Sequence, residues 1–418
     1  MTAKRTEKQA KVAPHRKRVD GWNPLLLAVF IATSASSRAD EGSGLEWFVD
    51  ETIRHESNLL RLPAGSSSSR LGGRSYADTV NIATLGARFE KTYGLQNVHI
   101  EAAYIDYRYQ NFSYLNFGTF NYRANWGWAI TPRFHGNVST QRRKLPNNAG
   151  DTSNVNRIDQ RNDRLDTSQR LDGIYELGAR WHVVGALARY SQRNTIPLVI
   201  ESASRQTTGD LGLRYVLPSG SLATLTFRTA SGSYTDSLSD IVEASRRFDQ
   251  KEVELDTLWR MTAKTSLGLR IAQRDRNHPL DPVRNFDGMR GMVRFNWSAT
   301  PRVTLASGWI RDLEAFQSSY STYFKSDRVF VEPTWQISDK TRMNARFAKT
   351  ERGYEGPPDP STAIDRHDTE HELAVGVEWR PRSFLSLRSA IRQTRRESTR
   401  AGIDYKNTSI GIGANMEF

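Results

Sequence analysis

The sequence contains no cysteine among its 418 residues. That excludes a disulfide framework, a thiolate zinc site and a thiol nucleophile. Apolar residues are scarce as well, at 37%, and the mean hydropathy is −0.62. No apolar run approaches the roughly 20 residues that a membrane-crossing helix needs. Charge is not lacking: 59 Lys and Arg stand against 46 Asp and Glu, a net +13. Low hydropathy with a basic balance is shared by disordered chains and nucleic-acid binders. Against disorder stand 10 Trp, 15 Tyr and 17 Phe, since disordered chains are poor in aromatics.

Part of the charge is an address. Residues 1–39 hold Lys4, Arg5, Lys8, Lys11, Arg16, Lys17, Arg18 and Arg38 against Glu7 and Asp20. Apolar residues from Pro24 to Ala32 follow the basic stretch, and small residues lead to Ser37-Arg38-Ala39. Basic, apolar and small-residue regions in that order make a secretory signal peptide. Cleavage is expected after Ala39, with Ala35 as second choice, leaving a single exported domain from Asp40 to Phe418. Export counts against a nucleic-acid partner.

The rest of the chain alternates with period two. Met289, Gly291, Val293, Phe295 and Trp297 fall on one face, and Arg290, Met292, Arg294 and Asn296 on the other. Residues 252–259, 373–380 and 385–392 repeat the pattern. Successive strand side chains point to opposite faces, so each segment is a ribbon with one apolar and one polar side. A soluble sandwich buries the apolar side between sheets. A membrane barrel turns it to lipid. Length favours the barrel, because many segments reach the roughly 9–11 residues of a tilted spanning strand.

Link lengths favour it further. Tight links at 130–133, 182–185, 217–220, 261–264, 299–302, 337–340 and 380–383 alternate with longer polar ones at about 55–77, 143–165, 194–204, 232–246, 276–286 and 352–368. Just before the tight links stand Trp128, Trp181, Tyr215, Trp259, Trp297, Trp335 and Trp379. One aromatic per hairpin at the same end predicts a belt at one membrane interface. At the end of the chain Ile410, Ile412, Ala414, Met416 and Phe418 alternate to the last residue. This is the form of the terminal strand that barrel-insertion machinery reads. The fold class expected is therefore all-β: a transmembrane antiparallel up-and-down barrel of eighteen strands, with both mature ends periplasmic in a Gram-negative outer membrane. A misread early pair reduces the count to sixteen. Inward-folded links, especially 143–165, are expected to narrow the lumen.

With the Trp face outward, Arg88, Arg123, Arg180, Arg214, Arg228, Arg270, Arg294, Arg346, Arg388 and Arg392 point inward. Glu176, Asp210, Glu252, Glu254, Asp256, Glu372 and Glu378 join them. Arginine on the lipid face costs about 2–4 kcal/mol at mid-bilayer, which enforces the alternation. Inward arginines read in two ways: as partners of acidic neighbours that stiffen the wall, or as a basic track for an anionic or hydroxyl-rich solute. Arg294, Arg346, Arg388 and Arg392 are the candidates for solute contact.

No enzyme signal emerges. His367-Asp368-Thr369-Glu370-His371 fits H-x-x-E-H, but that zinc chemistry needs a helix and this string enters an alternating strand. Gly411-Ile412-Gly413 lacks the rest of a dinucleotide fingerprint. No metal site and no cofactor is expected.

Four stretches carry a family resemblance: Arg54 to Pro63, Tyr104 to Leu115, the Trp128 to Arg133 and Trp297 to Arg302 turns, and Val331 to Ser338. Together they resemble the EpsL-type outer-membrane proteins of exopolysaccharide operons associated with exosortase and PEP-CTERM sorting. Arg54-His55-Glu56-Ser57 departs from that family's Asp-rich stretch, so no acidic binding cluster is carried over. The resemblance implies exopolysaccharide biosynthesis, with polymer export across the outer membrane. The alternatives are a porin-like channel for small anionic solutes and a scaffold for the synthesis machinery. The partners implied are outer-membrane lipid, the barrel-assembly machinery, polysaccharide and periplasmic polysaccharide-synthesis components.

Overall fold

An alternating ribbon satisfies its backbone only by pairing on both edges, and pairing every ribbon on both edges requires closure. The computed structural model describes residues 44–66, 71–147, 160–195, 203–234, 246–316, 321–357, 361 and 365–418. Residues 1–39, expected to form a signal peptide, lie outside them. The strands are β1 (Leu45–Glu56), β2 (Asp78–Tyr93), β3 (Gln96–Tyr109), β4 (Phe117–Thr131), β5 (Phe134–Pro146) and β6 (Asp163–Glu176). They continue as β7 (Trp181–Asn194), β8 (Ser204–Val216), β9 (Leu222–Tyr234), β10 (Arg247–Thr262), β11 (Thr265–Asn277) and β12 (Phe286–Thr300). The last six are β13 (Val303–Ala315), β14 (Tyr323–Ser338), β15 (Thr341–Glu355), β16 (His367–Arg382), β17 (Leu385–Ser398) and β18 (Tyr405–Glu417). Each pairs antiparallel with the next, and β18 pairs with β1, giving one closed eighteen-stranded barrel. The count is eighteen rather than sixteen.

The link between β6 and β7 corrects the expected turn at 182–185. The turn is residues 177–180, built on Leu177-Gly178-Ala179-Arg180, and Trp181 opens β7 instead of closing β6. Arg180 is therefore a turn residue and not part of the wall. Val183 and Val184 are β-branched and stay in the strand.

The short-link rim is held by a repeated device. Thr131 and Thr300 open Thr-Pro-Arg turns, and their hydroxyls accept the Phe134 and Val303 amides at 3.0 Å each. The last carbonyl of one turn then accepts an amide from the next hairpin: Arg133 from Glu176 (2.9 Å), Lys264 from Ser298 (2.8 Å), Arg302 from Gln336 (2.7 Å) and Lys340 from Arg380 (2.8 Å). Each hairpin is thereby tied to its neighbour where the ladder ends.

A wall one residue thick has no core of its own. The larger apolar cluster lies toward the long-link end, where Val80, Tyr107, Tyr109 and Phe117 meet Leu62, Leu71, Phe112 and Leu115. Register places Ile82, Tyr107 and Phe117 in one cross-strand row, on the same face as the Arg88–Glu101–Arg123 row. Leu85, Tyr104 and Phe120 alternate onto the opposite, exposed face. The cluster is therefore inside the barrel. Tyr107 and Phe117 stack at 4.7 Å. Two side chains anchor the inserted links. The Asn58 side chain bonds both the amide and the carbonyl of Leu62 (2.9 and 2.8 Å). Buried Asp78 accepts the Asn111 and Phe112 amides (2.9 and 3.0 Å). Among the described residues the wedge is thus built from 59–62, 71–76 and 112–117. Of the link expected to narrow the lumen, residues 148–159 lie outside the described residues.

Candidate functional site

The inward face carries interleaved arginines and carboxylates, and strand register decides which of them meet. Asp210 on β8, Arg228 on β9, Glu252 on β10 and Arg274 on β11 form one row of alternating charge. The Glu252 side chain has no exposed surface and takes three guanidiniums: Arg228 (2.7 Å), Arg274 (2.7 Å) and Arg290 (3.1 Å). Arg228 also donates to Asp210 (2.9 Å) and Arg290 to Asp312 (2.6 Å). Arg274 donates to the Leu313 carbonyl (3.2 Å). Arginine suits this web because one guanidinium can serve two or three acceptors at fixed angles. Five strand lysines, Lys91, Lys251, Lys325, Lys349 and Lys406, alternate onto the other face, whereas Lys144 of β5 pairs with buried Asp163 (3.0 Å) and lies over the Phe117 ring. Arg274 is absent from the inward arginines read from the sequence, and so is Arg290, although it falls there on the polar face of its strand. They share the parity of Arg270 and Arg294, so the signal was present.

Three of the four candidate arginines come together on the C-terminal wall. Glu332 contacts Arg346 and lies 3.9 Å from Arg294. Glu372 lies 3.4 Å from Arg346 and 3.6 Å from Arg392. Three guanidiniums thus share two carboxylates, leaving a surplus positive charge. This group faces water: the Arg392 side chain is 62% exposed and that of Arg294 45%, against 14% for Arg274. Arg388 stands apart, reaching across β18 to contact Asp50 of β1. Gly413, its β18 neighbour, leaves that path clear.

The aromatics of the expected belt lie at the short-link end. Trp181, Trp259, Trp297, Trp335 and Trp379 are exposed, and Tyr215 packs on Trp181 at 4.7 Å. Trp128 is partly covered by Phe134 at 5.1 Å. Trp47, Trp126 and Tyr175 are also exposed at this end. At the terminal strand Ile410, Ile412 and Phe418 are exposed, and Ala414 and Met416 share their face while half-buried.

At the long-link end a second aromatic group surrounds Arg276. Its guanidinium lies 4.1 Å from the Phe248 ring and donates to Tyr234 Oη (2.9 Å). His278, in the link after β11, is buried against Tyr234 at 5.9 Å. Burial, then the charges of Arg276 and Arg284, push its pKa down to about 4. His367 and His371 sit in β16 on the face opposite Glu370, so the H-x-x-E-H string does not converge on one point. Among the described residues no group of His, Asp and Glu is arranged to hold a metal.

No family model and no curated protein matches the sequence. The fold does match solved outer-membrane porin structures. Acinetobacter baumannii OccAB4 is similar with a TM-score of 0.50 and 10% identity, over 91% of this chain and 100% of that one. Pseudomonas aeruginosa OccK9 (OpdG) gives 0.52 and 12%, over 90% and 99%. Pseudomonas aeruginosa OpdK, solved with vanillate, gives 0.50 and 9%, over 90% and 99%. At these identities the likeness is one of fold.

Proposed function

We propose that the chain is a non-enzymatic channel of the Gram-negative outer membrane that passes small anionic solutes, with its short turns and both barrel ends in the periplasm. The observation that carries this is the water-facing group of Arg294, Arg346 and Arg392, whose positive charge Glu332 and Glu372 do not fully offset. Uncompensated charge on a low-dielectric wall concentrates counter-ions and sets selectivity. The porin fold supports the same reading. The test is the reversal potential of the purified protein in planar bilayers under a salt gradient. Anion preference is expected, and R294Q/R392Q, which turns the surplus from positive to negative, should reduce or reverse it. A cation-selective or closed wild-type barrel overturns the proposal.

Export of a hydroxyl-rich polymer is a second reading, implied by the EpsL-type resemblance. One observation favours it: two of the resembling stretches, Arg54 to Pro63 and Tyr104 to Leu115, meet in the apolar wedge inside the barrel. A clean deletion that leaves surface polymer unchanged would eliminate this reading.

A further inference from the structure

The outer face of β15–β18 carries a row that neither reading of the lumen uses. Register aligns Lys349, His371, Arg395 and Lys406 side by side on four consecutive strands. All four are exposed. Lys349, Arg395 and Lys406 alternate with the buried inward neighbours Thr350, Arg396 and Asn407, and His371 with the half-buried Glu370 and Glu372, so the row lies on the membrane side. Two lysines, an arginine and a histidine in a line on a lipid-facing wall are costly unless something anionic meets them.

The surroundings say what meets them. The next row toward the short-link end is Val331, Phe347, Leu373, Gln393 and Thr408, apolar on its first three strands, followed by the apolar Ala345, Val375, Ile391 and Ile410. An open groove of about 700 Å³ runs along this boundary, with Val329, Val331, Phe347 and Leu373 in its floor and Lys349, His371 and Arg395 at its edge. His371 is eight residues from Trp379 along β16. At ~3.3 Å per residue and a tilt of about 40°, that places it about 20 Å above the Trp end, near the far edge of an apolar band about 25 Å tall. Acyl chains fit the floor, and anionic head groups fit the edge.

We infer that this face binds a diphosphorylated, multiply acylated glycolipid of the outer leaflet. Strands are about 4.8 Å apart, so Lys349 and Lys406 lie about 14 Å apart across three intervals. Phosphates at opposite ends of a disaccharide span such a row, whereas one phosphodiester head group engages only part of it. The existing partners yield readily: Lys349–Glu351 and Arg395–Glu397 are surface pairs, more than half exposed on both sides. Such pairs contribute about 0–1 kcal/mol, so a phosphate can displace the carboxylate. The inference rests on the barrel lying in the outer membrane but not on what passes through it.

The test is native mass spectrometry of the full-length barrel in detergent with diphosphorylated lipid A, dephosphorylated lipid A and phosphatidylglycerol. One diphosphorylated lipid A should be retained, and the other two at least tenfold more weakly. K349Q/R395Q/K406Q should lose at least tenfold in retention. R189Q/K251Q, which removes exposed cations elsewhere on the wall, should bind like the wild type. Should the triple variant not fold, R395Q alone is expected to lose at least threefold. Unchanged retention in these variants, or equal retention of phosphatidylglycerol, overturns the inference. Conductance is not read, so a failure here is distinct from a failure of the channel.

Discussion

The backbone of Trp47 exchanges two hydrogen bonds with that of Phe418, at 3.0 and 2.8 Å. These bonds extend the β1–β18 seam that closes the barrel. Deleting Phe418 removes both bonds and should destabilise the seam by about 1–3 kcal/mol. Phe418→Ala keeps the backbone bonds, so its unfolding temperature should stay near wild type while assembly by the insertion machinery slows. Heat-dependent gel mobility and an assembly assay separate the two effects.

Glu252 should be the most sensitive charge in the wall. Glu252→Ala leaves Arg228, Arg274 and Arg290 facing one another in a buried site, at an expected cost of about 3–5 kcal/mol. Arg380→Gln removes an exposed partner of Glu378 and should cost under about 1 kcal/mol. Denaturant unfolding in detergent measures both, and equal costs would contradict the account.

The apolar wedge should limit flow without setting charge preference. Phe112 and Leu115 are almost fully buried in it. Phe112→Ala should destabilise the barrel by about 3–5 kcal/mol and raise single-channel conductance. The anion-to-cation ratio should not change, because no charge is removed. A lower conductance would show that the wedge does not narrow the path.

His278 makes the link after β11 acid-sensitive. Its folded pKa, about 4, lies below the ordinary value of 6.5, so the unfolded link binds more protons between those values. The stabilisation is complete above about 6.5 and is lost as pH falls toward 4. Hydrogen exchange of residues 276–286 should therefore quicken across that window. In His278→Phe the quickening should disappear, and persistence there would assign it to another group.

The strands, their number and the two-faced wall were legible along the chain, because each face must suit its solvent at every second residue. Trp297, Phe295 and Val293 could be separated from Arg294 and Asn296 without knowing any neighbour. The parity that points Arg294, Arg346 and Arg392 inward was legible for the same reason. Their partners were not. Glu252 meets Arg228, Arg274 and Arg290 only through the register of four strands, and register depends on turns such as 177–180 that shift pairing by residues. The meeting of Leu59 and Leu62 with Tyr107 and Phe112 was equally hidden, since a link folding into a lumen has no periodicity to mark it. Alternation along one strand is a local response to lipid and water, and the sequence alone determines it. Contacts between strands and links require the closed barrel, and only the tertiary structure decided them.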